Sequence, residues 1–243
     1  MRTDYHRWYS HRLGRDLGIV IYGHWGPPLV TFPTSGGDEW EMQNQGIIDA
    51  IADYIDSGKL KVFSCNTNSR DSLYNRGAHP FHRSWMLRMF DEYLCEEVVP
   101  FVRSHCQAPG IGIGVAGMSL GAFYAANALL KHPDVFKRGY AISGLYDMKR
   151  FMDGMYDDNF YFNNPVDYLS NLSDPWYYHH FQSCDIRIVT GRGPWEESGE
   201  SYRLAGILRS KNIPHSLDDW AEMGGHDWPY WKHQLREYVR RLY

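Results

Sequence analysis

The sequence predicts an α/β fold in which a mostly parallel central sheet carries helices on both faces and begins with an N-terminal antiparallel hairpin. Three observations carry this expectation. Short apolar runs of strand length alternate with longer segments whose apolar residues recur at helical spacing, the pattern of parallel strands joined by crossovers. Gly117-Met118-Ser119-Leu120-Gly121 stands between one such run and one such segment, at a sharp strand-to-helix turn. No Pro/Gly/Ser-rich linker divides the 243 residues, a length that fits one substantial core, so residues 1–243 are expected to form a single domain.

Residues 5–13 and 17–23, separated by Gly14-Arg15-Asp16, read as the hairpin. Pro28–Phe32 is a short apolar strand that runs into the loop Pro33-Thr34-Ser35-Gly36-Gly37. Ile47, Ile48, Ile51, Ala52 and Ile55 give residues 44–56 helical spacing, and the strand Lys61–Cys65 follows. Trp85, Leu87, Met89, Phe90, Tyr93, Leu94, Val98 and Val99 mark a helix over 84–105, which Pro100 is expected to kink or whose last turn it is expected to split off. Next come a strand over 111–116 and, beyond Ser119, a helix over 122–131. Residues 139–143 and 186–190 are further strands. The stretch 144–185 between them is too long and too aromatic for an ordinary connection and reads as a short lid-like excursion over the carboxyl edge of the sheet. Helical spacing returns at Ser198–Ser210, residues 214–220 are extended, and residues 229–242 close the chain as a helix.

Composition narrows the function classes. The formal charge of -4 comes from 25 basic and 29 acidic residues without a run of five of either sign, which gives nucleic acid or a membrane surface no electrostatic foothold. The first twenty residues have no continuous apolar core, and nowhere do eighteen apolar residues run together, so neither a signal peptide nor a spanning helix is expected. Cys65, Cys95, Cys106 and Cys184 lack C-x-x-C spacing and read as buried free thiols. A cytoplasmic location fits these features; on an export route Asn171-Leu172-Ser173 would be a glycosylation acceptor. Nine Trp, eighteen Tyr and eleven Phe, many in loop-like segments, suit either the walls of a cleft or the packing of a lid.

A serine at the Gly117–Gly121 turn projects its hydroxyl above the sheet and places the following N–H groups at a helix start, where negative charge is stabilised. A serine hydroxyl becomes a nucleophile when a base takes its proton and a carboxylate fixes the tautomer of that base. His226 is the best-placed base, because Met223-Gly224-Gly225-His226-Asp227-Trp228 lies between the last extended segment and the last helix. His132, His179, His180 and His215 sit on less suitable elements. For the acid, the loop Gly191-Arg192-Gly193-Pro194-Trp195-Glu196-Glu197 leaves the strand at 186–190 on the same edge, with Glu196 preferred over Glu197. Asp227 adjoins the base in sequence and better suits tying down its loop, while Asp218 and Asp219 are the fallback. The oxyanion of a tetrahedral intermediate needs convergent donors, expected from the N–H of Leu120 and from the loop after Phe32, at Ser35 or otherwise Gly36.

With these residues placed, the chain resembles the α/β-hydrolase superfamily, and within it the esterase branch that includes S-formylglutathione hydrolases, feruloyl esterases and mycolyltransferase antigens. The resemblance runs from about Leu17 to the C-terminus and rests on the order Ser119, a glutamate near 196, then His226, and on Gly224-Gly225-His226-Asp227-Trp228 with Trp231. It implies an α/β-hydrolase fold and catalysis through a Ser–His–acid triad. The chain departs from many relatives in having Pro33-Thr34-Ser35-Gly36-Gly37 in place of His-Gly-Gly, and glutamate in place of aspartate, a feature it shares with the mycolyltransferases.

The resulting expectation is a serine hydrolase that cleaves small-molecule carboxylic esters through an acyl-enzyme, without cofactor or metal. The alternatives are an acyltransferase using the same triad, a peptidase, or a non-catalytic binding protein on the same fold. Relatives use the loop around 68–74 to line the substrate pocket, which makes Asp71 and Tyr74 candidate contacts, and Trp25, Trp195 and Trp228 are candidate cleft walls. His79 with His82, and His179 with His180, lack the further ligands a metal site needs at motif spacing.

Overall fold

The structure, a computed structural model, describes residues 1–242. Eight strands form one sheet in the order β1-β2-β4-β3-β5-β6-β7-β8. They are β1 (Thr3–Ser10), β2 (Arg15–Tyr22), β3 (Pro28–Phe32), β4 (Lys61–Cys65), β5 (Ile113–Met118), β6 (Phe136–Ile142), β7 (Asp185–Thr190) and β8 (Ser216–Asp219). β1 and β2 form the antiparallel hairpin, β2 joins β4 antiparallel, and every pairing from β4 to β8 is parallel. This is the α/β-hydrolase architecture the sequence implied.

The strands are covered on both faces, and their side chains divide by the two-residue period. Leu17, Ile19 and Ile21 of β2 and Ile113 and Val115 of β5 join one core. Val20 and Tyr22 of β2 and Ala116 and Met118 of β5 join the other. The second core is closed by three short helices, α1 (Glu41–Asn44), α2 (Ile47–Ala50) and α3 (Ala52–Asp56), together with residues of the C-terminal helix. The expected single helix over 44–56 is thus broken. Gly46 in the left-handed region (φ 76°) and Ile51 at φ -120° interrupt it, although Ile47, Ile48, Ile51 and Ile55 are all buried as their spacing implied.

On the first face, α4 (Pro80–Tyr93) begins earlier than expected, because Pro80 suits the first helical turn and His79 Nδ1 accepts from the Phe81 N–H at 3.3 Å. A π-helical stretch, Leu94–Val98, leads into α5 (Val99–His105). The continuous α-helix is thus interrupted ahead of Pro100, which falls in the first turn of the separate α5, as a split at the proline implied. The missing N–H of the proline falls where the ladder has already widened, and α5 runs on for seven residues. The same stretch supplies Glu97, whose carboxylate accepts from Trp8 Nε1 and Ser10 Oγ, each at 2.8 Å, and so docks the hairpin.

α6 (Leu120–Lys131) leaves Ser119 and is buried along almost its whole length. The excursion after β6 holds a 3₁₀ turn (Met148–Phe151), α7 (Asp158–Tyr161), α8 (Pro165–Tyr168) and α9 (Pro175–Phe181). It is more than a lid. Its first residues reach the carboxyl edge, but Asn163 and Tyr168 hydrogen-bond Asn127 and Lys131 toward the far end of α6, and Phe160, Leu169 and Phe181 join the core. α10 (Ser198–Ser210) follows β7, and α11 (Trp228–Leu242) ends the described chain. Parallel strands leave β3, β5, β7 and β8 at one edge, so the loops beginning at Pro33, Ser119, Gly191 and Trp220 share it.

Candidate active site

Ser119 occupies φ 55°, ψ -121°, a conformation that L residues rarely adopt and that costs on the order of 1–3 kcal/mol. The surroundings hold it there. Its N–H donates to the Ile142 carbonyl at 3.0 Å. A Cβ on Gly117 would lie 2.1 Å from the Gly121 carbonyl oxygen, and one on Gly121 would lie 2.4 Å from that of Phe32. Glycine is therefore required on both sides of the serine by the approach of backbone to backbone.

His226 Nε2 lies 2.9 Å from Ser119 Oγ, although 107 residues separate them. On the other side of the ring, His226 Nδ1 faces Glu196 Oε2 at 3.6 Å. The Glu196 side chain is only 1 % exposed. Thr190, the last residue of β7, donates its hydroxyl to Glu196 Oε1 at 2.8 Å, and Ser143, just beyond β6, stands close enough to the same carboxylate to favour its charged form. Burial alone would raise the Glu196 pKa, but the facing imidazole of His226 and the hydroxyls of Ser143 and Thr190 outweigh it and hold the carboxyl below the usual glutamate range. Trp231 completes the support. Its Nε1 donates to Ser143 Oγ at 3.0 Å, and its ring meets the imidazole nearly edge-on with centroids 5.0 Å apart.

The acid loop and the histidine loop are laced together by backbone bonds. Arg192 N–H donates to Ala221, Gly193 N–H to Gly224, and His226 N–H to Pro194, at 2.7, 2.7 and 2.9 Å. The other carboxylates have different partners. Asp227 accepts from the Trp228 N–H, Asp218 from the Tyr238 hydroxyl, and Asp219 from Arg192, Tyr202 and Ala221. Glu197 is exposed at the cleft mouth, just before α10.

Phe32 pairs with Gly117, so the loop after β3 lies beside the Ser119 turn. Thr34 anchors it to Glu41 through N–H and hydroxyl bonds of 2.6 and 2.9 Å, Arg70 donates to the Gly36 carbonyl, and the Ser35 hydroxyl bonds the Tyr74 hydroxyl at 2.7 Å. Among the described residues no protein group accepts from the Ser35 N–H. The Leu120 N–H belongs to the first turn of α6, where helical N–H groups have no partner of their own. Of the other candidate contacts, Tyr74 touches this loop, whereas Asp71 pairs with Arg15 at 2.5 Å and Trp228 packs on Trp231 behind the histidine. Trp25 lies at the opposite edge of the sheet, against Pro27 and Lys61. A cleft of about 210 Å³ opens over Ser119 and His226, bordered by Leu145, Arg150, Trp195 and Glu197.

Sequence reasoning missed Thr190, Ser143 and Arg150. Serine and threonine at strand ends are commonplace, and only the convergence of two strand ends on one carboxylate marks them. The structure also gathers Asp91, Cys95 and His132, a trio with metal-ligand atoms within 4.8 Å of one another that no sequence spacing suggested. Lys131 already occupies the Asp91 carboxylate at 2.7 Å beside His132 at 2.9 Å, and burial pushes the Cys95 thiol up to about 12. An ammonium ion and a protonated thiol make this a structural ion-pair cluster, poorly suited to a cation.

A family described as "Putative esterase" matches residues 10–242. The chain belongs to this esterase family of α/β-hydrolases. Solved structures agree on the fold of the family member. A ferulic acid esterase superposes with a TM-score of 0.74 at 16% identity, covering 100% of this chain and 99% of that one. An S-formylglutathione hydrolase from Agrobacterium tumefaciens gives 0.74 at 13% identity over 99% and 95%. One from Staphylococcus aureus gives 0.69 at 16% over 100% and 99%. No curated protein sequence matches the chain significantly. Membership supports hydrolase activity in the general sense, and no helix among the described residues is long and apolar enough to cross a membrane.

Proposed function

We propose that the protein hydrolyses small-molecule carboxylic esters through an acyl-enzyme formed on Ser119. The observation that carries this reading is the 2.9 Å contact between Ser119 Oγ and His226 Nε2, with Glu196 on the far side of the ring. An ionised Glu196 favours the tautomer that carries its proton on Nδ1, which leaves Nε2 free to accept. As Oγ attacks the ester carbonyl, its proton passes to Nε2, and the carbonyl oxygen becomes an oxyanion within reach of the Leu120 and Ser35 N–H groups. Collapse of that intermediate expels the alcohol, which takes the proton from Nε2. Water then repeats the sequence on the acyl-enzyme, giving Nε2 a proton and releasing the acid with Ser119 restored.

In this reading the whole chain is one catalytic domain, and Glu196 rather than Glu197 is the acid of the triad. The four cysteines are unpaired thiols, which supports a cytoplasmic setting. Hydrolysis of a short-chain aryl ester, followed by release of the aryl alcohol, tests the assignment. Ser119→Ala is expected to lower kcat by about 10⁴-fold or more with an unchanged circular dichroism spectrum. Activity within tenfold of the parent would exclude Ser119 as nucleophile.

A further inference from the structure

Lys61 opens β4 at the amino edge of the sheet, the edge opposite Ser119. It is only 5% exposed. Among the described residues its ammonium meets no carboxylate or carbonyl at hydrogen-bonding distance, and the Phe63 ring centroid lies 5.9 Å from Nζ. The nearest charges on the hairpin, Arg2 and Asp4, pair with each other at 2.8 Å. The Cys106 thiol beside it is pushed up by burial and so supplies no anion at neutral pH. Burial of its side chain pulls the pKa of Lys61 down, with Asp4 opposing that shift.

This ammonium lines a cavity of about 340 Å³ whose other walls combine the apolar Trp25, Pro27, Ala108 and Ile111 with His24 and Gln107. Trp25 is 70% exposed, which leaves its ring free to receive a ligand. His105 also lines the cavity, and its Nδ1 is buried without a hydrogen-bond partner. The one lysine charge facing this cavity suits a monoanion, and the indole offers a surface for a planar ring.

We propose that this cavity is a binding site for a small aromatic carboxylate, with the carboxylate against the Lys61 ammonium and the ring against Trp25. The ligand would supply a direct counter-ion and cover an aromatic ring that now faces water. The site shares no residue with the Ser119 cleft, so the inference stands apart from the catalytic reading.

Calorimetric titration of Ser119→Ala protein with 2-naphthoate tests it, because that background prevents turnover. Saturable binding is expected, weakened at least tenfold by Lys61→Met, severalfold by Trp25→Ala, and at least tenfold when neutral 2-naphthalenemethanol replaces the acid. Methionine approximates the lysine stem and removes an enclosed charge, so this variant is expected to fold. Should it not, Trp25→Ala and the neutral analogue decide. Absence of saturable binding, equal affinity for the neutral analogue, or equal affinity in both variants would overturn the proposal.

Discussion

Glu196 combines two properties that ordinarily conflict, near-complete enclosure and a carboxyl pKa below the usual range. Enclosure should favour the protonated form, and the facing imidazole with the neighbouring hydroxyls reverses that preference. A carboxylate with a depressed folded pKa is ionised at every pH where an ester hydrolase would work, and it contributes to stability until pH falls through that lowered value. Glu197 has none of these partners and is exposed. Glu196→Gln is therefore expected to lower kcat by about 10³–10⁴-fold, as tautomer and orientation are lost, whereas Glu197→Gln changes it by less than about threefold. Steady-state kinetics of the two variants check the ranking, and the reverse order would move the acid by one residue. Ser119 and His226 were legible from the sequence because their motifs are local. The choice between Glu196 and Glu197 rested on position alone, and the supporting pair Thr190 and Ser143 could not be read at all, because they meet the carboxylate from two different strands.

At the scale of elements, the Ser119 turn is where strand, helix and oxyanion loop converge on atoms without side chains. Gly121 is the tightest joint between them, with the Phe32 carbonyl oxygen 2.4 Å and the Pro33 carbonyl oxygen 2.8 Å from the place a Cβ would take. Gly121→Ala must displace either α6 or the loop that carries Ser35. It is expected to destabilise the fold by about 2 kcal/mol or more, a fall in melting temperature of about 4–8 °C, and to lower kcat more than it raises KM. Melting curves and kinetics unchanged from the parent would contradict that packing. Strands β3 and β4 stand at the boundaries their apolar runs implied, because turn residues bound each run sharply. The helix expected over 44–56 failed for a reason the periodicity does not contain: the isoleucines all face the core, but Gly46 and Ile51 leave helical geometry between them. The π-helical stretch before Pro100 was equally invisible, since an extra residue in a turn leaves the apolar pattern nearly intact.

Across the whole molecule, the parallel strands bring residues 32–36, 119, 190–197 and 226 to one edge, and the excursion after β6 braces α6 from the other side. That brace ends in an ion cluster in which Asp91 bonds both Lys131 and His132. Burial would raise the Asp91 pKa, but His132 and Lys131 together lower it below the ordinary aspartate value. Its contribution to stability is thus complete above that ordinary value and is withdrawn as pH falls through the lower folded one. Asp91→Asn should cost about 1–3 kcal/mol near neutrality, with the difference in melting temperature from the parent shrinking below about pH 4. A difference independent of pH would show that Asp91 does not act through its charge. The fold class was legible because alternation of strands and helices pervades the chain, while the division of the excursion between cleft border and core packing was not, because aromatic side chains look alike whether they cover a cleft or fill a core. The proposed chemistry depends on Ser119 being a nucleophile in the intact protein. Reaction with an aryl fluorophosphonate and mass mapping of the modified peptide measures this directly: one phosphonyl adduct is expected, on Ser119 and lost in His226→Ala, and an intact protein left unmodified, or modified only at another residue, would rule out the nucleophile.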